Sequence, residues 1–277
     1  MTKLMQLKDK TAVVTGAASG IGRATAISLA KRGCHVALAD INAEGLNETV
    51  KLLSSYPIKV SSHILDVSNP AAIKAFPSQI LAEHPEIDIL VNNAGVSAGG
   101  TFEMVSEEDF EWVININFWG VVHMTRAFLP ILKRSTEARL VNVSSIFGII
   151  APPGHTAYAA SKFAVRGFSQ SLRHELLDTN VGVTVVHPGG VASSIADNAR
   201  IPSGATEEMI AEAKAEAKDK LTLSPEAAGE TLVQGIEQRK ARVLIGKDAK
   251  FISIIERFKP VFYWNTLSKI AERRRTK

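Results

Sequence analysis

The sequence predicts an α/β protein: a doubly wound parallel sheet of about seven strands in a single domain, with helices on both faces. Three observations predict it. Short apolar, β-branched runs alternate with helix-length stretches along most of the 277 residues. The first strand runs into a glycine-rich turn and then a helix, within residues 11–31. Gly16, Asp40, Asp66 and Asn93 each follow a strand, which places them together on the carboxyl edge where such sheets bind ligands.

The elements follow in order. Residues 11–15 are a buried strand, and Thr15-Gly16-Ala17-Ala18-Ser19-Gly20-Ile21-Gly22 leads into a helix at 23–31. Glycines permit a tight turn and close backbone approach, and the helix start offers free N–H groups to a pyrophosphate. The plainer reading is a tight β-α turn. A second strand, 35–39, ends at Asp40-Ile41. An acidic residue there accepts hydrogen bonds from a ribose and repels a 2′-phosphate, which favours NAD over NADP without excluding NADP. Its other reading is a helix cap or turn aspartate. Arg23, just past the glycine loop, argues the other way.

A helix at 43–54 precedes a strand at 58–65 that runs into Asp66-Val67. After another helix, a strand at 87–91 ends in Asn92-Asn93-Ala94-Gly95. Residues 107–133 read as one long helical stretch carrying Asn117 between apolar neighbours; a buried amide there needs hydrogen-bond partners, in a site or simply in the core. A strand at 139–143 ends at Ser144-Ser145, a helix begins near Thr156, and a strand at 181–187 leads to Pro188-Gly189-Gly190-Val191-Ala192-Ser193. The last strand is 242–245.

The chemistry centres on Tyr158 and Lys162. Four residues apart on a helix, they share a face about one turn apart. A free phenol, with a pKa of about 10, is a poor acid or base at neutral pH, and a neighbouring cation favours its ionised form. A Tyr-x-x-x-Lys pair is therefore a means of building a general acid/base.

Composition narrows the classes. Hydrophobic residues are 45% and charged residues 22%, enough for a sizeable core and too apolar for disorder. No apolar run reaches the about 18 residues of a membrane span, and residues 1–10 lack the apolar stretch of a signal peptide. Cys34 is the sole cysteine, so no internal disulfide is expected, which fits the reducing cytoplasm. The seven histidines lack metal-ligand spacing, so no metal is expected. Residues 250–277 hold eight Lys/Arg and two Asp/Glu, a net +6, which leaves about −2 on the rest of this +4 chain. A basic tail on such a body argues against a nucleic-acid surface.

Taken together, these motifs resemble the short-chain dehydrogenase/reductase family in its compact single-domain branch, over about residues 7–246. The resemblance rests on the glycine loop from Thr15 to Gly22, the Asn-Asn-Ala-Gly run, Ser145 ahead of Tyr158, Tyr-x-x-x-Lys, and Pro-Gly after the sixth strand. It implies a Rossmann-type sheet binding NAD at Gly16, Ser19, Gly20, Ile21, Gly22, Asp40, Ile41, Asp66, Val67, Asn93, Ala94, Gly95, Tyr158, Lys162, Pro188, Gly189, Val191 and Ser193. It also implies catalytic roles. Tyr158 would exchange a proton with the substrate oxygen, Lys162 would lower the tyrosine pKa and hold the nicotinamide ribose, Ser145 would hydrogen-bond the substrate oxygen, and Asn117 would kink its helix and hold a relay water. Ser144 rivals Ser145, and the spacing to Tyr158 favours Ser145. The family usually has Thr at Ser193; the hydroxyl is kept.

The leading expectation is an NAD-dependent alcohol/ketone oxidoreductase. The alternatives are epimerisation or dehydration on the same fold, and a catalytically silent nucleotide sensor or scaffold. Val96, Ser97, Phe147, Pro152, Pro153, His155 and Ile195 are pocket candidates and favour a neutral, fairly hydrophobic small-molecule substrate. Residues 194–223 are expected to form a substrate lid or a plain surface helix. By analogy with the family the chain forms a homodimer or homotetramer through the helices around 109–132 and 156–177. Residues 247–277 read as a basic amphipathic extension: one stripe of Phe251, Ile254, Ile255 and Phe258, then a second of Tyr263, Leu267 and Ile270 before Arg273-Arg274-Arg275. These stripes either touch an anionic membrane or pack on the body or a neighbouring subunit.

Overall fold

The computed structural model describes residues 4–275, leaving aside the side chains of 216–218 and 271–275, so those of Arg273, Arg274 and Arg275 lie outside the described residues. Its strands are β1 (Thr11–Thr15), β2 (His35–Asp40), β3 (Val60–Ile64), β4 (Ile89–Asn92), β5 (Ala138–Val143), β6 (Val181–Pro188) and β7 (Arg242–Ile245). They pair in parallel in the order β3-β2-β1-β4-β5-β6-β7. The order reverses between β1 and β4, and that crevice is where a doubly wound sheet takes its ligand.

The helices are α1 (Gly20–Ala30), α2 (Ala43–Leu53), α3 (Pro70–Glu83), α4 (Glu107–Ile114), α5 (Gly120–Leu132), α6 (Thr156–Glu175), α7 (Glu207–Lys220), α8 (Pro225–Glu237), α9 (Lys247–Phe258) and α10 (Tyr263–Arg275). Side chains alternate across the sheet with the period of two that a strand imposes. Ala12 and Val14 of β1, and Val36 and Leu38 of β2, enter the core under α1, α2 and α8. Val13, Ala37 and Leu90 point the other way, to Phe76 of α3 and to Met124 and Phe128 of α5. All five β1 residues are buried, which explains why that strand reads as continuously apolar.

All seven expected strands are present, with ends shifted by one or two residues. Three differences matter more. Helix α1 starts at Gly20, inside the glycine loop, so the loop's last glycines form the helix's first turn. The stretch expected as one helix is two, joined by a π-helical turn at Asn115–Trp119. Helix α8 has no counterpart among the expected elements. It buries Ala228, Leu232, Val233 and Ile236, and Gly229 lies directly on the α1 backbone. Its start is marked in the sequence: the Ser224 side chain caps it by accepting from Ala227 N, and Pro225 occupies the first helical position.

Candidate active site

The carboxyl ends of β1 and β4 are stitched together. Thr15 Oγ1 accepts from the backbone N–H groups of Asn93 (3.0 Å) and Ala94 (3.1 Å), while Asn93 Nδ2 donates to Thr15 O (3.0 Å) and Gly16 O (3.2 Å). Gly16 fits this junction only without a side chain: its φ is +67°, and a Cβ would stand 2.7 Å from Asn93 Nδ2. At Gly22 a Cβ would stand 2.0 Å from Gly16 O. The start of α1 is left open. Its N-cap, Ser19, makes no capping hydrogen bond, and no acidic residue lies in the first turn. Elsewhere Asn42, Asn69, Ser106 and Ser224 cap α2, α3, α4 and α8 with their side chains. An uncapped N-terminus beside bare glycine backbone is a cradle for a pyrophosphate.

Asp40 ends β2 beside this loop. Its Oδ2 accepts from Ala18 N (3.0 Å) and its Oδ1 from Asn42 N (3.0 Å), and Ile41 next to it is exposed. Arg23 is committed elsewhere: it donates to Ala18 O, to Gly45 O (3.2 Å), to Thr49 Oγ1 (3.0 Å) and to Glu48 (2.7 Å). Asp66 accepts from the N–H (2.8 Å) and hydroxyl (2.7 Å) of Ser68 and so shapes the turn before α3, next to buried Val67. Past β6, Val191 bridges Leu223, and Ser193 Cβ lies against Gly20, where an added Cβ would stand 3.1 Å away. Ser19 and Ser194 hydroxyls meet at 3.2 Å. The segment after Pro188-Gly189 therefore lies over the start of α1.

The catalytic candidates converge on α6. Lys162 Nζ stands 5.5 Å from the centre of the Tyr158 ring and donates to Val143 O at 3.2 Å. Ser145 lies beside the Tyr158 side chain, and its Oγ accepts from Phe147 N at 3.1 Å. Ser144, the rival, is turned away: its hydroxyl donates to Lys162 O at 2.8 Å. Asn117 sits fully buried inside the π-helical turn. Its Oδ1 accepts from Val96 N (2.8 Å), and its Nδ2 donates to Val96 O (2.9 Å) and Ser161 Oγ (3.0 Å). Gly95 brings Asn117 and Lys162 together, since a Cβ there would stand 3.1 Å from Asn117 Oδ1 and 3.2 Å from Lys162 Nζ.

Burial sets the electrostatics of this pair. Burial, the dominant cause, pushes the Tyr158 phenol up to about 12, against the smaller lowering effect of the Ser145 side chain. Burial also pushes Lys162 down to about 8. Burial disfavours the charged form of both groups, Lys162 being almost wholly buried and Tyr158 half-buried.

Phe147 packs edge-on to Tyr158 at 6.1 Å and lies against His155 at 5.0 Å. The lid segment returns to this region through Arg200, whose N–H donates to Ser97 O (3.0 Å) and whose carbonyl accepts from Gly99 N (3.1 Å). The Arg200 guanidinium lies 4.0 Å over the Trp112 ring and pairs with Asp109 at 2.8 Å.

Residues 10–203 match the short chain dehydrogenase family, about 70% of the chain. The chain belongs to that family. It is 40% identical to SadH of Mycobacterium tuberculosis over 92% of both chains. Among solved structures it is similar to a short-chain dehydrogenase/reductase from Burkholderia phymatum in complex with NAD, with a TM-score of 0.86 at 30% identity, covering 92% of this chain and 95% of that one. It is also similar to an alcohol dehydrogenase from Thermococcus sibiricus complexed with 5-hydroxy-NADP, with a TM-score of 0.73 at 28% identity, covering 86% and 95%.

Two residues beside the family motifs escape a sequence reading. Ser161 is fully buried and joins Asn117 to α6, donating to Tyr158 O at 2.7 Å. Its place three residues after Tyr158, on the same helix face, is the available signal. His187 is also fully buried, with Nδ1 at 2.9 Å from Ser145 O. Burial pushes it down to about 4, so it is neutral and donates that hydrogen bond, fixing the backbone of Ser145. Nothing in the sequence around it points to that contact.

Proposed function

We propose that this member of the family is an oxidoreductase that interconverts an alcohol and a ketone or aldehyde, prefers NAD, and uses Tyr158 as its general acid/base. The observation that carries the reading is the convergence of Ser145, Tyr158 and Lys162 on one point, next to the glycine cradle at β1 and β4.

The residues present fit a dinucleotide. The open α1 start and bare backbone at Gly16, Gly20, Ile21 and Gly22 would hold the pyrophosphate, with Ser19 and Ser193 at its margin. Asp40 and Ile41 would meet the adenosine ribose, and Asp66, Val67, Asn93, Ala94 and Gly95 would line the crevice. Tyr158, Lys162, Pro188, Gly189, Val191 and Ser193 would flank the nicotinamide end. Asp40 supplies negative charge where a 2′-phosphate would lie, and Arg23 is held by Glu48, which supports NAD over NADP. When bound, the dinucleotide supplies or takes up a hydride at the substrate carbon.

In reduction, the Ser145 hydroxyl donates a hydrogen bond to the carbonyl oxygen, which polarises the bond and fixes the oxygen against Tyr158. Tyr158, kept protonated by burial, gives its proton to that oxygen as charge develops there. The Lys162 ammonium stabilises the phenolate left behind. Asn117, tied to Val96 and Ser161, holds the broken helix against Gly95 and Lys162. Oxidation of an alcohol reverses these steps and needs the phenolate first. Phe147 and its apolar neighbours support a neutral, fairly hydrophobic substrate, and Arg200, engaged with Asp109 and Trp112, leaves no lid arginine to hold a carboxylate. Lid residues 194–223 would close over it. The α6 helix, which exposes Phe163, and α5 with the π-helical turn before it, which exposes Trp119, would pair subunits in a homodimer or homotetramer. The single thiol, Cys34, is buried and suits a cytoplasmic setting.

The test is a spectrophotometric screen of alcohols and ketones against NAD(H) and NADP(H). Turnover of neutral apolar carbonyls with NADH preferred is expected. Dinucleotide binding without turnover of any of them would favour a sensor.

A further inference from the structure

The C-terminal helices divide their apolar residues between two directions. On α10, Tyr263 and Leu267 turn inward to Phe147, Ile149 and Ile150, and Ala151 N donates to the Tyr263 hydroxyl at 3.0 Å. On α9, Ala249 and Ser253 face the body, while Phe251, Ile254 and Phe258, spaced i, i+3, i+7, face out at 48, 57 and 78% exposure. Of the expected stripe, Ile255 is only partly exposed. The ridge continues through the α9–α10 turn with Val261 and Phe262, 75 and 65% exposed, and ends at Trp264.

Cations border this ridge. Lys250, Arg257, Lys259 and Lys269 are exposed around it. Of the acids of α9, Asp248 is engaged away from it, accepting from Gly190 N at 2.7 Å, and Glu256 is half-buried and acts electrostatically on Arg242. Large aromatic and aliphatic side chains standing out of a cationic border, on a segment of net +6 against a body of about −2, match the face of a helix pair lying in an anionic lipid interface.

We propose that the α9–α10 ridge docks the protein on the surface of an anionic lipid bilayer, with Phe251, Ile254, Phe258, Val261 and Phe262 entering the headgroup layer. A second copy of the chain fits less well. A symmetric contact sets the same patch on both subunits and would bring two +6 segments together. Docking sets the membrane beside the candidate site, because Tyr263 ties α10 to the 147–151 segment and Phe147 packs on Tyr158.

The experiment is co-sedimentation of the full chain with vesicles of phosphatidylglycerol and phosphatidylcholine, or of phosphatidylcholine alone, at low and high salt. We expect at least tenfold more binding to the anionic vesicles, weakened by salt, and at least a tenfold loss in the double variant Phe258→Asp, Phe262→Asp. Both positions are exposed, so its melting temperature and its turnover of a soluble substrate should match the wild type. Failure of the wild type to sediment with anionic vesicles overturns the proposal, as does a double variant that binds like wild type. So does an oligomer that the double variant dissociates while vesicle binding is absent. The readout is binding without turnover, so its failure leaves the redox reading untouched.

Discussion

Lys162 Nζ stands 5.5 Å from the centre of the Tyr158 ring, and the ammonium is itself almost wholly buried. Burial holds it down to about 8, below the ordinary 10.5. The sign follows. A lysine depressed on folding costs stability below its folded value, and the cost fades as pH rises through the window from about 8 to 10.5. Lys162→Met should therefore be more stable than wild type at pH 7, by about 1 to 3 kcal/mol, with the gain gone near the top of that window. Turnover should fall at least a hundredfold. Thermal unfolding across pH, beside an activity assay, checks both; a variant destabilised at neutral pH would contradict the burial argument.

The Asp40 carboxylate receives the Ala18 N–H of the glycine loop at 3.0 Å. Asp40→Asn retains an acceptor and removes the charge that opposes a 2′-phosphate. The ratio of kcat/KM for NADP over NAD should rise about tenfold, which is about 1.4 kcal/mol, chiefly through KM for NADP. An unchanged ratio would remove Asp40 from cofactor selection.

Arg200 latches the lid segment to α4 through Asp109 at 2.8 Å and the Trp112 ring at 4.0 Å. Arg200→Ala should raise the substrate KM several-fold with less change in kcat, and should speed proteolytic nicking within residues 194–206. The Arg200 hydrogen bond holds the Asp109 carboxyl below its usual value, so the latch is present at neutral pH and weakens as acid protonates Asp109. Steady-state kinetics with limited proteolysis reads the effect, and equal nicking rates would show that the latch does not hold.

Gly229 lies on the α1 backbone, where an added Cβ would stand 2.5 Å from the Ala24 carbonyl carbon. Gly229→Ala should push α8 off α1 and cost about 1 to 3 kcal/mol, read by denaturant unfolding. A neutral result would mean that the helices slide apart freely, despite Arg32 pairing with Glu230 at 2.7 Å and Glu237 at 3.0 Å across the same contact.

Much of this was legible in the chain. Residues 11–15 and 181–187 announced strands through apolar runs, and the glycine loop, Tyr158 and Lys162 carry their chemistry in their spacing. The start of helix α8 is legible in Ser224-Pro225, a capping serine followed by a first-turn proline. The resemblance implies a kink at Asn117, but its π-helical form is not legible, because residues 115–119 keep ordinary helical character. Spacing to Tyr158 favours Ser145 over Ser144. The physical difference is that Ser144 turns to the Lys162 carbonyl, a contact made only when β5 meets α6. The phenol's protonation state depends on burial, which no local pattern reports.

In the proposed mechanism Tyr158 moves the proton. The direct measurement is Tyr158→Phe, assayed for carbonyl reduction and for dinucleotide binding by fluorescence titration. Binding should stay within about threefold of wild type and turnover should fall by about a thousandfold or more. Turnover within tenfold of wild type, with binding intact, would contradict that mechanism.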